Sequence, residues 1–130
     1  MKRLFGAVLS IFISWNIIDY IIHGVILSRA YQETSQLWRP MEEIKMGLMY
    51  ITVLISAVVF VLIYKRLITN KSMINAVQYG VLFGIGVGIS MGYGTYSVMP
   101  IPYTMAITWF FGVLVEAVAA GVLVGVIIKE

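Results

Sequence analysis

Apolar positions in this chain form long unbroken runs instead of alternating with polar ones. Such runs, about 20 residues each, are the signature of helices that cross a bilayer. Four are present: Leu4 to about Ile26, about Met46 to Tyr64, about Met73 to Val98, and about Pro102 to Ile128. They are too long and too continuous for barrel strands, and helices satisfy every backbone group internally in lipid. The pattern predicts an all-α membrane protein, a single antiparallel four-helix transmembrane bundle spanning residues 1–130.

The polar segments between the runs set the connections. Residues 28–45 form an amphipathic link, residues 65–72 a short basic one, and Met99 to Pro102 a tight hairpin. Pro102 suits the first turn of a helix, where its missing N–H costs nothing. Lys2, Arg3, Lys65, Arg66, Lys71 and Lys129 fall on one side, against Arg29, Arg39 and Lys45 on the other. The positive-inside rule then puts both termini in the cytoplasm of a multi-pass protein of the cell membrane. The apolar run after Lys2 and Arg3 contains Asp19 and His23 and is long for a signal peptide, so it is expected to be retained.

Composition agrees. The chain is 61% hydrophobic and 12% charged, with mean hydropathy +0.96. A soluble domain carries about twice that charge. The net charge of +3 sits at helix ends, where topology explains it without nucleic acid as a partner. No cysteine is present, which excludes thiol redox chemistry, thiolate zinc sites and cysteine-ligated clusters.

Small residues mark packing faces. Gly80, Gly84, Gly88 and Gly92 recur at spacing four, as do Ala117, Gly121 and Gly125. Such ridges bring helices close in lipid, where packing replaces the hydrophobic effect. They predict either a tight third-to-fourth span seam, or association as a homo-oligomer or with other membrane subunits.

The first span carries one polar stripe, Trp15, Asn16, Asp19 and His23. Ionisable groups in a span are costly and should face protein or water. At 1.5 Å per residue, Asp19 lies roughly 24 Å from Arg3, Glu116 roughly 20 Å from Lys129, and Tyr50 roughly 22 Å from Lys65. Equal depth allows Asn16, Asp19, His23, Tyr50 and Glu116 to form one buried network, with Ser90, Tyr93 and Trp109 farther out. A carboxylate four residues from an imidazole can fix its tautomer, and a second carboxyl can exchange a proton. The cluster therefore supports a structural knot, a proton or ion path, or a metal site of His23, Asp19 and Glu116. Haem with His23 and Met49 or Met91 as ligands also stays open, although no motif implies a cofactor. In the outer link, Trp38, Arg39, Glu42 and Glu43 are candidates for a lid or partner contact. Glu42 and Glu43 are expected in the first helical turn of the second span, where the dipole favours anions.

Several segments together resemble small four-helix bacterial inner-membrane proteins of unassigned function. They are Trp15 through His23-Gly24, Tyr31, Trp38-Arg39-Pro40, Tyr93-Gly94-Thr95-Tyr96, and Pro100 to Tyr103 ahead of Trp109 and Glu116. The resemblance implies architecture and a bacterial membrane. The leading expectation for function is a non-catalytic membrane subunit or homo-oligomer built around the Asp19–His23–Glu116 network. A proton-coupled transporter or ion conductor using the same residues is the alternative, and a metal or haem protein the third.

Overall fold

Long apolar runs lacking internal proline fold as helices because the backbone finds its own partners at every residue. The computed structural model describes residues 1–129 and contains no strand among them. Its helices are α1 (Lys2–Asp19), α2 (Ser28–Glu33), α3 (Met46–Leu67), α4 (Met73–Ile89), α5 (Thr95–Val98) and α6 (Tyr103–Ile127). Two π-helical segments continue the long helices, Tyr20–Ile26 after α1 and Ser90–Gly94 after α4. Four helical stretches are long and apolar enough to cross a membrane: Lys2–Ile26, Met46–Leu67, Met73–Val98 and Tyr103–Ile127. They match the sequence-based spans within about a turn at each end.

The helix ends follow local chemistry. Ser72 precedes α4 and its Oγ accepts from the Asn75 backbone N–H at 3.1 Å. Pro102 stands just outside α6, at the N-cap, and its carbonyl accepts from Met105 and Ala106. Glu42 and Glu43 do not enter the first turn of α3. They sit in a separate single 3₁₀ turn, Met41–Glu43. Ile44 is extended and Lys45 non-helical, so α3 begins only at Met46. Both glutamates are exposed.

The closest seam joins α4 to α6. A Cβ added at Gly80 would lie 2.5 Å from the Ala117 carbonyl oxygen, and one at Gly92 2.4 Å from that of Ala106. At Gly121 the Cβ would meet the Ala76 carbonyl at 2.6 Å. Backbone touches backbone here, which only glycine permits. The glycine ridge is thus used within the chain.

Two apolar cores result. One gathers Ala7, Ile11 and Trp15 of α1 with Ala57, Phe60, Val61 and Tyr64 of α3, Ala76 of α4, and Ala120 and Val124 of α6. Tyr79 crosses this core, its ring 4.5 Å from that of Phe60 and its hydroxyl donating to the Phe60 carbonyl at 2.9 Å. The other core joins Ile22, Leu27, Ile101, Met105, Ala106 and Trp109, and the link residues Tyr31, Leu37 and Trp38 pack onto it. Between the two cores lies the site.

Candidate functional site

A cavity of about 320 Å³ lies between the cores, lined from all four long helices. Asp19, His23 and Glu116 face it. Three features bring them there. Gly112 lets Ile22 close on α6; a Cβ at Gly112 would lie 2.5 Å from Ile22 Cδ1. Trp15 Nε1 donates to the Glu116 backbone carbonyl at 2.8 Å, fixing α1 to α6 at that residue. Asp19 ends α1, and His23 lies in the π-helical segment that follows. Such wide turns favour functional positions because they break the regular ladder.

The polar contacts form a chain. Trp109 Nε1, which can only donate, gives its hydrogen to the Tyr31 hydroxyl at 2.9 Å. The same hydroxyl is hydrogen-bonded to His23 Nδ1, 2.6 Å away, in a direction set by the imidazole tautomer. His23 Nε2 lies 3.8 Å from Asp19 Oδ1; in the tautomer where Tyr31 donates to Nδ1, the ring hydrogen sits on this Nε2. The carboxyls of Asp19 and Glu116 line the same cavity. Glu116 Oε1 is buried, and no donor is directed at it. The side chains of Asp19 and His23 keep 38% and 41% of their exposure, so the cavity is open to small molecules.

The link closes one end. Tyr31 and Trp38 rings meet at 5.3 Å, and Trp38 and Trp109 at 6.1 Å. Trp38 Nε1 donates to Thr34 Oγ1 at 2.9 Å, and Thr34 Oγ1 donates to the Ala30 carbonyl at 2.7 Å. Outside the spans, burial pushes the Tyr31 phenol up to about 12; the Trp109 hydrogen bond opposes this and the Asp19 charge adds to it.

Several expected members are elsewhere. Tyr50 is exposed and does not line the cavity. Equal depth placed it at the right level, but its position around α3 turns it outward. Asn16 donates to its own helix at the Phe12 carbonyl, 2.8 Å away. Tyr93 pairs with Tyr103 at 2.8 Å, and Ser90 is exposed. Arg39 is exposed and makes no ion pair with Asp19. Trp38 seals the link from within, whereas Arg39, Glu42 and Glu43 project to the surface.

Among the described residues, no three His, Cys, Asp or Glu side chains are placed to hold a metal ion. His23, Asp19 and Glu116 share a cavity without forming a coordination set. Met91 lines that cavity, while Met49 is exposed away from it.

Sequence reasoning missed Thr52 and Ser56, which bring hydroxyls from α3 to the cavity. Their spacing of four on an otherwise apolar helix was the available signal. It also missed Tyr31 as the partner of His23. No family model, curated protein or solved structure matches this chain.

Proposed function

We propose that this chain is a four-span cell-membrane protein that binds a small solute in its intramembrane cavity and couples that binding to proton exchange. The spans run antiparallel, with both termini cytoplasmic. The excess of basic residues at that end supports this orientation. The core that gathers the start of α1 and α4 with the ends of α3 and α6 supports the alternating directions. The observation that carries the function is the meeting of Asp19, His23 and Glu116 on one open cavity.

In this reading the Asp19–Glu116 pair holds one proton. A solute that takes its place releases it, and a proton that returns expels the solute. His23, oriented by Tyr31, passes the proton along the face of the first span. The test is infrared difference spectroscopy of the protein in lipid nanodiscs across pH. A protonated-carboxyl band should titrate in the wild type and change in both D19N and E116Q. A band absent at every pH, or unaltered by both substitutions, overturns the reading.

The second reading is association with itself or with other membrane subunits. It draws on the outer half of α3, where Leu48, Ile51, Leu54 and Ile55 stay exposed. The mass of the particle extracted gently from its native membrane decides it.

A further inference from the structure

The chemistry of the cavity wall narrows the solute. Resting on the proton-exchange reading above, we propose that the cavity binds an organic ammonium group carried by an amphiphile that enters sideways from the bilayer.

Charge is the first argument. Two carboxyl side chains, Asp19 and Glu116, face the cavity, and no lysine or arginine lines it. His23 is the one basic group there, and its Nδ1 is hydrogen-bonded to the Tyr31 hydroxyl, a contact that a neutral ring makes as acceptor. The other titratable group packed against the cluster is the Tyr31 phenol, which also stays neutral at ordinary pH. From α3 come Ser56 and Thr52, whose hydroxyl donates to the Leu48 carbonyl at 2.8 Å, and from α4 only Phe83, Val87 and Met91. Glu116 Oε1 is buried with no donor directed at it, so the wall itself lacks the hydrogen a ligand would bring. An ammonium supplies that hydrogen and a matching charge.

Aromatic rings are the second argument. Trp15, Phe83 and Trp109 line the same space. Ring faces attract organic cations by about 0.5–2 kcal/mol each, most strongly where water is excluded. A hydrated metal ion would gain little from them.

The opening is the third. Phe60 of α3 meets Tyr79 and Phe83 of α4 through ring contacts at 4.5 and 5.0 Å. Thr52, Ser56, Val87 and Met91 border the cavity yet are exposed. The mouth therefore faces the side of the bundle, where lipid would lie, with the hydroxyl residues Thr52 and Ser56 on its α3 side and the apolar Val87 and Met91 on its α4 side. An amphiphile can leave its tail in the bilayer while its amine reaches Glu116.

The ammonium could belong to a free amphiphilic amine or to a lipid headgroup, and the test separates them. The full chain is placed in nanodiscs of phosphatidylglycerol alone and titrated with phenethylammonium, following tryptophan fluorescence and proton release. A parallel titration uses 3-phenylpropanol, of similar shape without charge. A third arm adds phosphatidylethanolamine to the discs. The expected result is saturable binding of phenethylammonium with release of a proton, at least roughly tenfold tighter than the alcohol. Binding should weaken by a similar factor in both D19N and E116Q, each checked for an unchanged melting profile. Competition by phosphatidylethanolamine assigns the site to the lipid headgroup; its absence assigns it to the free amine. Equal affinity for the alcohol, or binding untouched by both substitutions, overturns the proposal. A carboxyl band that still titrates while no ammonium binds overturns the ammonium inference alone. Ammonium binding without any proton release overturns the proton-exchange reading instead.

Discussion

The α4–α6 seam predicts a sharp contrast between two glycines on one helix. At Gly80 an added Cβ would lie 2.5 Å from the Ala117 carbonyl oxygen and 3.2 Å from Val118 Cα. Both are backbone atoms and cannot swing aside. Ordinary contact begins at 3.4 Å, so Gly80→Ala must move the helices apart locally by about 0.9 Å. A gap of 0.5–1 Å forfeits about a quarter to a half of each contact's dispersion energy. Overpacking of this kind costs about 1–3 kcal/mol. At Gly86 a Cβ meets nothing within 4 Å. Gly86→Ala should be neutral, or stabilising by up to about 1 kcal/mol through helix propensity. Unfolding of the detergent-solubilised protein by sodium dodecyl sulfate, followed by tryptophan fluorescence, measures both. Gly80→Ala should unfold at clearly lower denaturant fraction, with Gly86→Ala at or above the wild type. Equal midpoints would refute the argument that this ridge is spent on packing inside the chain.

Other outcomes follow from the site. Tyr31→Phe strips the partner from both Trp109 Nε1 and His23 Nδ1; it should cost about 1–3 kcal/mol in the same assay, and a wild-type midpoint would deny the link its latch. Trp15→Phe keeps a ring against Phe60, 5.8 Å away, but deletes the bond to the Glu116 carbonyl. A loss of about 0.5–1.5 kcal/mol is expected, and no loss would mean that this bond does not hold α1 to α6. Alkaline pH gives a signed test. Tyr31 ionises near 10 when unfolded and near 12 when folded, so its contribution is full below pH 10 and disappears as pH rises to about 12. Melting profiles across this window should fall more steeply for the wild type than for Tyr31→Phe, and parallel slopes would contradict the assignment.

Legibility of the site divided along one geometric line. Depth in the bilayer comes from counting residues at a fixed rise, which is why Asp19 and Glu116 were expected at one level, and both line one cavity. Counting says nothing of rotation about the helix axis relative to a neighbour. Tyr50 shares their level and points outward, and Asn16 satisfies itself on the Phe12 carbonyl. The π-helical turns at Tyr20–Ile26 and Ser90–Gly94 shift rotation again, beyond what a 3.6-residue period anticipates. Long-range partners were equally hidden: Tyr31 and Trp109 are 78 residues apart, and their bond depends on how the link folds back.

What the sequence determined by itself is the set of elements: four apolar helices, their limits within about a turn, and a ridge of glycines that must lie against something close. Those follow from local physics, because in an apolar solvent the backbone has no better partner than its own helix. Tertiary structure decided what the ridge lies against, which polar groups share a cavity, and that Thr52, Ser56, Val87 and Met91 border it while exposed. The reason is that helix rotation and tilt are set by side chains interlocking between spans, and those contacts join residues far apart in the chain.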